Sequence, residues 1–201
     1  MGKLIVHMFM TLDGIIQSPG GVEEDIENDF NYGGWQAPYM DAEAEQQMAA
    51  DYANIDALLL GRKTYDIFAP YWQKASASNP FTELFNKKPK YIASRTLTKV
   101  DWSNSRILDA DVATSVPLLK NKYTEVHVVG SCDLIQTLLR DDLIDRMNIW
   151  QYPVVLGKGK RLFEEGTTPA ALQLVESKSY PGGSVLLRYD FSGKPVFYNM
   201  A

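Results

Sequence analysis

Residues 55–68, with the sequence IDALLLGRKTYDIF, constrain the fold more than any other stretch of this chain. An apolar run that ends in three consecutive leucines is typical of a strand buried on both faces, and such strands lie inside open sheets. Gly61 interrupts the run, and Arg62, Lys63 and Thr64 then begin a helix. The first N–H groups of a helix lack partners, so this junction is suited to bind an anion such as a phosphate. The alternative is an ordinary turn with a solvated basic pair.

Length and composition limit the classes of protein to consider. The 201 residues are 45% hydrophobic and 22% charged, which predicts one soluble domain over residues 1–201. The net charge is −5 without a basic block, so neither nucleic acid nor a membrane is an expected partner. Cys132, His7 and His127 are too few and too dispersed to predict disulfides or a metal site. The N-terminus does not resemble a signal peptide, and a cytoplasmic protein is expected.

Strand and helix patterns alternate along most of the chain and end in a hairpin. Strands are predicted at residues 3–10, 55–60, 90–93, 106–108, 125–129 and 146–156, and helices at 42–53, 62–68, 81–86, 112–122 and 133–140, with residues 70–80 irregular. Two last strands, at 172–180 and 184–191, flank a Pro-Gly-Gly turn and predict an antiparallel pair. The expected fold is therefore α/β, with a sheet that is parallel in its body and antiparallel at its end.

A second junction follows the strand at residues 90–93. Ser94, Arg95 and Thr96 place two hydroxyls and a guanidinium at the carboxyl end of that strand, where ligands bind in open α/β sheets. An arginine at this point can fork onto a phosphate, which is how many sites prefer NADP over NAD.

A third junction follows the strand at residues 125–129. Gly130 and Ser131 are small enough to allow close approach of a phosphate to the backbone. Cys132 lies at the start of the next helix, where a thiol pKa tends to fall. We interpret it as a small buried filler rather than a nucleophile, because no histidine is near in sequence.

Residues 20–38 show no period and contain many acids, which predicts a lid or a pocket wall. Trp35 and Tyr39 could stack a flat heterocycle, with core packing as the alternative. Residues 157–161, GKGKR, lack the third glycine of a dinucleotide fingerprint, but they could form a basic rim.

Several motifs in order, TLDG, LLLGRKTYDIF, YIASRTL, VHVVGS and LIDRMNIWQYPVVLGKGKRLF, together resemble the dihydrofolate-reductase-like family. Within it, the chain is similar to stand-alone bacterial versions of the reductase domain of riboflavin biosynthesis, the RibD C-terminal domain. The resemblance implies a three-layer α/β/α fold with a mostly parallel eight-stranded sheet. It also implies NADPH as cofactor, lying across the carboxyl ends of the strands.

The resemblance also implies which residues hold the cofactor. Gly61, Arg62, Lys63 and Thr64 would bind the pyrophosphate or the adenosine side, Ser94, Arg95 and Thr96 the 2′-phosphate, Gly130, Ser131 and Cys132 the pyrophosphate from the other side, and Leu12, Gly14 and Ile16 the nicotinamide. The family often has two glycines where this chain has Gly130 and Ser131. A side chain there restricts the backbone, although its hydroxyl could contact a phosphate.

The implied reaction is hydride transfer from NADPH to a small heterocyclic or sugar-derived substrate, with a proton delivered nearby. Asp13 and Asp41 are the predicted proton donors; the alternatives are a turn residue and a helix cap. The acceptor could be the ribosylaminopyrimidine of riboflavin biosynthesis, 5-amino-6-(5-phosphoribosylamino)uracil, or a pterin, and no basic set for a ribose phosphate is evident. A non-catalytic NADP-binding protein and a subunit that mainly associates, as a homodimer or otherwise, are further hypotheses.

Overall fold

A computed structural model describes residues 1–200, which form eight strands and five α-helices. The strands are β1 (Lys3–Thr11), β2 (Ala57–Gly61), β3 (Lys90–Ala93), β4 (Ser105–Ile107), β5 (Glu125–Val129), β6 (Arg146–Tyr152), β7 (Leu172–Ser179) and β8 (Val185–Phe191). The helices are α1 (Ala42–Ala53), α2 (Arg62–Trp72), α3 (Pro80–Lys87), α4 (Val112–Lys122) and α5 (Cys132–Arg140). No helix within residues 1–200 combines the length and the apolar character that crossing a bilayer requires.

All eight strands belong to one sheet, in the order β4-β3-β2-β5-β1-β6-β8-β7. The pairs from β4 to β6 are parallel, whereas β8 runs antiparallel to both β6 and β7. The predicted mixed sheet with an antiparallel C-terminal hairpin is therefore confirmed. Because β3, β2 and β5 are parallel neighbours, their carboxyl ends meet at the same edge of the sheet.

The three leucines of β2 show how the sheet is buried on both faces. Leu59 packs with α4 and α5 on one face, while Leu58 and Leu60 pack with α2 and α3 on the other. All three side chains are fully buried. Burial of this kind stabilises the fold by about 2 kcal/mol per side chain, and it explains why the run shows no polar alternation.

Helix α1 begins where the sequence predicts. The Asp41 carboxylate accepts hydrogen bonds from the backbone N–H groups of Glu43 and Ala44, at 2.9 and 3.0 Å. Ala44, Met48 and Tyr52, spaced four residues apart on α1, are buried, so the predicted start of this helix is confirmed and one of its faces packs on the core.

Two boundaries differ from the prediction by more than two residues. Helix α2 continues through Pro70 to Trp72, because the Trp72 ring packs on Phe85 with centroids 4.6 Å apart and so holds the last turn in place. Strand β6 ends at Tyr152, four residues early. Pro153 follows it, and proline has no N–H group to donate to the sheet.

Candidate active site

The three predicted junctions line one cleft at the carboxyl edge of the sheet. Residues 61–64 follow β2, residues 94–96 follow β3 and residues 130–132 follow β5, and all of them contribute to its wall. The cleft has a volume of about 1430 Å³, whereas a pocket for one drug-sized ligand is typically about 300 to 1,000 Å³. The cleft is therefore larger than a pocket for one drug-sized ligand.

Two helix starts on this wall lack side-chain caps. Gly61 precedes α2 and has no side chain that could act as a cap. Ser131 precedes α5, and its hydroxyl accepts no hydrogen bond from the first turn of that helix. Their first N–H groups are therefore available to a ligand. Together with the positive ends of the two helix dipoles, they make this wall suited to an anion.

Ser131 connects the two junctions directly. Its backbone is left-handed, with φ 73°, as is that of Gly130 with φ 70°. The Ser131 hydroxyl accepts a hydrogen bond from the Gly61 N–H at 2.9 Å and lies 2.6 Å from the Thr64 hydroxyl. The serine thus adopts the conformation that a glycine would take, and its hydroxyl fastens β2 to β5.

Arg62, Lys63 and Arg95 are three of the cations that line the cleft. Arg62 pairs with Asp66 at 2.9 Å, one turn along α2, and Lys63 pairs with Glu27 from the opposite loop. Arg95 is exposed and forms no ion pair within residues 1–200. Of the three, the Arg95 guanidinium is the one that meets a ligand phosphate without first giving up a carboxylate.

Residues 17–21 and 23–25 form the facing wall of the cleft, together with Ile16, Gln36 and Lys160. The Gln17 amide donates to the carbonyl oxygens of Asp25 and Glu27, at 3.0 and 3.1 Å. Lys160 pairs with the carboxylates of both residues. Hydrogen bonds from Lys160 and Lys63 lower the pKa of Glu27 to about 2. The ionised Glu27 carboxylate therefore links its loop both to the start of α2 and to Lys160.

Glu24 is a carboxyl in the cleft that the sequence did not single out. It accepts hydrogen bonds from the N–H groups of Gly20 and Gly21, at 2.7 and 3.1 Å. Burial raises its pKa, and the nearby charge of Asp25 adds to this, although the two N–H bonds act in the opposite direction. Its position in a turn-rich acidic segment was the available signal, but sequence could not tell it apart from its neighbours Glu23 and Asp25.

The two predicted proton donors are not among the residues that line the cleft. Burial of Asp13 acts to raise its pKa, but hydrogen bonds from Thr11 and from the N–H of Gly157 lower it overall. Hydrogen bonds from the N–H groups of Ala44 and Gly182 lower the pKa of Asp41. The contacts of Asp13 are thus those of a turn residue and the contacts of Asp41 are those of a helix cap, which are the two alternative interpretations.

The predicted nicotinamide segment reaches the cleft only at its end. Ile16 lines the cleft, whereas Leu12 and Gly14 do not. The Leu12 side chain is 62% exposed. Gly14 is left-handed, with φ 85°, and its carbonyl accepts a bond from the Leu162 N–H, so this turn supports the wall from outside.

The predicted aromatic substrate residues lie behind the wall. Trp35 is buried and donates its indole N–H to the Gln17 carbonyl at 2.8 Å. Its ring meets that of Tyr152 edge-on, and Tyr39 packs against the same tyrosine. Neither Trp35 nor Tyr39 lines the cleft, so core packing, the alternative interpretation, describes their contacts.

Cys132 lies on the wall but is not activated. Burial raises the pKa of its thiol to about 11, and the nearby charges of Glu164 and Asp133 act in the same direction. Burial therefore outweighs the lowering of the thiol pKa that is expected at the start of a helix. A thiol of this kind is protonated at neutral pH, as a filler rather than a nucleophile would be.

This architecture and its cleft define an α/β protein of the dihydrofolate-reductase-like class. The chain belongs to the RibD C-terminal domain family, which it matches over residues 2–186. Two uncharacterized Bacillus subtilis proteins are similar over nearly their whole length. YyaP is 28% identical over 95% of this chain and 96% of the YyaP chain, and YwjB is 23% identical over 93% of this chain and 97% of the YwjB chain.

Two solved structures share the fold. One is a provisional riboflavin biosynthesis protein from Shewanella sp. PV-4, with a TM-score of 0.69, 22% identity, and coverage of 94% of this chain and 99% of that one. The other is a pyrimidine reductase-like protein from Corynebacterium diphtheriae, with a TM-score of 0.64, 11% identity, and coverage of 95% and 92%. At these sequence identities the two comparisons support the fold alone.

Proposed function

We propose that this protein is an NADPH-dependent reductase of the RibD type. The observation that carries the proposal is the convergence of two uncapped helix starts and an unpaired Arg95 on one wall of a single large cleft. Unpartnered N–H groups and a guanidinium are the donors that phosphate groups require. Membership of the RibD C-terminal domain family supports the same conclusion.

The residues of this wall fit a dinucleotide in a definite order. Residues 61–64 and residues 130–132 bind the pyrophosphate from its two sides, and Ser94, Arg95 and Thr96 bind the 2′-phosphate. Ile16, which is buried and lines the same cleft, packs against the nicotinamide. When bound, NADPH supplies the hydride, and the chain supplies orientation and exclusion of water.

Glu24 is the proton source in this proposal. A general acid needs a pKa that is raised toward the working pH, and it must lie within reach of the substrate. Burial raises the pKa of Glu24, and its carboxyl lies on the wall that faces the cofactor side. Asp13 and Asp41 meet neither requirement, since their pKa values are lowered and both lie outside the cleft lining.

The family suggests the sugar of a ribosylaminopyrimidine as the acceptor of the hydride, reduced at its open-chain aldehyde. The charges of the substrate wall favour a second candidate, a pterin or another acceptor that carries no phosphate. Glu23, Glu24 and Asp25 lie on that wall, and its cation, Lys160, is already paired with Asp25. A phosphate ester would meet repulsion there.

Binding of the cofactor can be tested without knowing the substrate. NADPH is expected to raise the melting temperature of the full chain, and NADH is expected to raise it less at equal concentration. No shift with either nucleotide at millimolar concentration would contradict a cofactor site.

Turnover is tested separately, by loss of the reduced-nicotinamide absorbance. The substrate panel contains the phosphorylated ribosylaminopyrimidine, its dephosphorylated form and dihydropterins. Oxidation of NADPH with one of these compounds would establish a reductase and choose between the two acceptors. Binding of NADPH without turnover of any compound would instead favour the non-catalytic NADP-binding protein.

A further inference from the structure

The facing wall of the cleft carries three side chains that are polar but uncharged: Gln17, Ser18 and Gln36. The Gln17 amide is used at both ends, because its nitrogen donates to the loop carbonyls described above and its oxygen accepts from the Lys160 N–H at 3.1 Å. The Ser18 hydroxyl donates to the Gly21 carbonyl at 2.8 Å and accepts from the Asp25 N–H at 3.0 Å. Both of these side chains are therefore occupied within the protein.

The side chain of Gln36 is held on one side only. Its amide nitrogen donates to the Tyr152 hydroxyl at 2.9 Å and to the Met40 Sδ at 3.4 Å, which uses both of its hydrogens. Its amide oxygen forms no hydrogen bond within residues 1–200. Gln36 lines the cleft, whereas Tyr152 and Met40 do not. The nitrogen therefore points behind the wall, and the oxygen is the polar atom of this side chain on the cleft side.

Tyr152 decides which way round the amide lies. This tyrosine is fully buried, and its ring is flanked by those of Trp35 and Tyr39. Its hydroxyl donates to the Met40 Sδ at 3.7 Å, which leaves the hydroxyl oxygen to accept from Gln36. A turned amide would set its oxygen against the sulfur, and two acceptors do not pair. The aromatic residues behind the wall thus fix one orientation of the Gln36 amide.

The backbone of Gln36 is fixed as well. Its N–H donates to the Pro19 carbonyl at 3.2 Å, and its own carbonyl accepts from the Tyr39 N–H at 3.0 Å. Pro19 belongs to the same wall of the cleft. A side chain that is already held in place loses little conformational entropy when a ligand binds. The Gln36 oxygen is therefore a preorganised acceptor, which recognition of one donor position requires.

An uncharged oxygen selects a neutral donor. The other acceptors on this wall include the carboxyl groups of Glu23, Glu24 and Asp25, and carboxylates favour cations. A lactam N–H is a neutral donor that lies in the plane of its ring, so it meets a fixed amide oxygen in one geometry. A site that binds such an N–H rejects analogues without it, because its acceptor is then left unpaired.

We propose that Gln36 is a specificity residue of the substrate site, where its amide oxygen accepts a hydrogen bond from a lactam N–H of the substrate ring, and that Tyr152 positions the amide. The inference rests on the proposed function for the presence of a substrate in this cleft. It adds a substrate class, a flat nitrogen heterocycle with an unsubstituted lactam. A simple aldehyde or ketone lacks the donor that this wall recognises.

Two pairs of probes test the proposal by titration calorimetry on the full chain in the presence of NADP⁺. Pterin and 5,6-diaminouracil carry the lactam N–H, whereas 3-methylpterin and 5,6-diamino-1,3-dimethyluracil lack it. At least one unmethylated probe is expected to bind, and its methylated analogue is expected to bind at least about tenfold more weakly. Equal affinity within a pair that binds, or no binding by either unmethylated probe, would overturn the proposal.

Variants of Gln36 assign this preference to one oxygen. Gln36→Leu removes the acceptor, and the preference for the unmethylated probe is expected to fall to about twofold or less. Gln36→Glu keeps an acceptor oxygen and is expected to retain the preference. Gln46→Leu makes the control change at an exposed glutamine of α1 outside the cleft lining. Full preference in Gln36→Leu, or its loss in Gln36→Glu as well, would show that Gln36 is not the acceptor.

The positioning role of Tyr152 has its own test. Tyr152→Phe removes the oxygen that holds the amide nitrogen, so the amide can turn, and the preference is expected to fall about threefold. Tyr180→Phe is the matched control, because it removes a hydroxyl without a hydrogen-bond partner from the same buried cluster. A preference that Tyr152→Phe leaves at its wild-type value would remove Tyr152 from the proposal.

Kinetics and cofactor binding separate this inference from the proposed function. With a substrate that the wild type reduces, Gln36→Leu is expected to raise KM about tenfold with little change in kcat, because the bond is made equally before and during hydride transfer. A melting-temperature shift with NADPH but no lactam preference would overturn this inference and leave the proposed function standing. No shift with NADPH would overturn the proposed function, whatever the probes do.

Discussion

The hydroxyl of Ser131 accepts a hydrogen bond from the backbone N–H of Gly61 at 2.9 Å, across 70 positions of sequence. This contact joins the end of β2 to the end of β5 and fixes the distance between the two helix starts that we propose as the pyrophosphate site. It also makes Gly61 sensitive to substitution, since a Cβ there would lie 2.9 Å from the Ser131 Oγ.

Substitutions at Ser131 and Gly61 are therefore expected to be coupled. Ser131→Ala should lower the free energy of unfolding by about 1 kcal/mol through loss of the hydrogen bond. Ser131→Gly should be less harmful, because glycine adopts the left-handed backbone without strain. Gly61→Ala should destabilise the wild type more than it destabilises the Ser131→Gly variant, as measured by urea unfolding. An equal loss of stability from Gly61→Ala in the wild type and in the Ser131→Gly variant would show that there is no steric conflict between the two side chains.

Arg95 is expected to select the 2′-phosphate. Arg95→Ala should weaken NADPH binding by about 2 kcal/mol, or about thirtyfold, because a charge-assisted hydrogen bond is lost. NADH binding should change little. Lys99→Ala removes an exposed cation four residues away that does not line the cleft, and it serves as the control. Titration calorimetry measures both nucleotides, and an equal loss for the two would disprove the role.

Glu27 is expected to compete with phosphate for Lys63. Glu27→Gln removes the carboxylate that pairs with Lys63 and Lys160, and NADPH should then bind about threefold more tightly at low ionic strength. The gain should vanish in high salt, where the exposed pair is already screened. Glu83→Gln breaks a comparable exposed pair with Lys87 on α3 and should change nothing. Weaker binding by Glu27→Gln would contradict competition.

Glu24 is expected to act in turnover and not in cofactor binding. With a substrate that the wild type reduces, Glu24→Gln should lower kcat by about a hundredfold and should leave NADPH affinity unchanged. The alkaline limb of the wild-type pH profile should disappear in the variant, because the glutamine has no proton to lose. Glu45→Gln changes an exposed acid of α1 that does not line the cleft, and it serves as the control. An unchanged pH profile would remove Glu24 from the mechanism.

The two histidines are expected to make the fold sensitive to mild acid. His7 and His127 are buried with their ring nitrogens 2.9 Å apart, and burial lowers the pKa of both below the ordinary 6.5. The unfolded chain therefore binds protons below about pH 6.5 that the folded chain does not, and the free energy of unfolding should fall there. Above that pH the two states bind protons equally and this contribution is complete.

Nuclear magnetic resonance can check this prediction cleanly, because the chain contains only two histidines. Their imidazole signals should titrate below the ordinary value of 6.5, and urea unfolding as the pH falls below that value should show the loss of stability. Two rings that titrate at the ordinary value would show that the pair is not desolvated.

The sequence by itself determined the order and type of the elements and the edge at which a ligand would bind. Apolar periodicity located β2 and α1, since burial of side chains at a fixed spacing is a local property of the chain. Polar residues after β2, β3 and β5 marked the carboxyl edge, because parallel neighbouring strands must end together. The family resemblance rested on these same junctions.

Only the tertiary structure decided which side chains face the cleft and with what charge. Asp13 and Glu24 both follow turn signals, but hydrogen bonds from Thr11 and Gly157 occupy the first, whereas burial in the cleft raises the pKa of the second. Trp35 points at Gln17 rather than into the cleft, and Ser131 reaches Gly61. These outcomes depend on contacts between residues far apart in sequence, and no local pattern records the direction of a side chain or its desolvation.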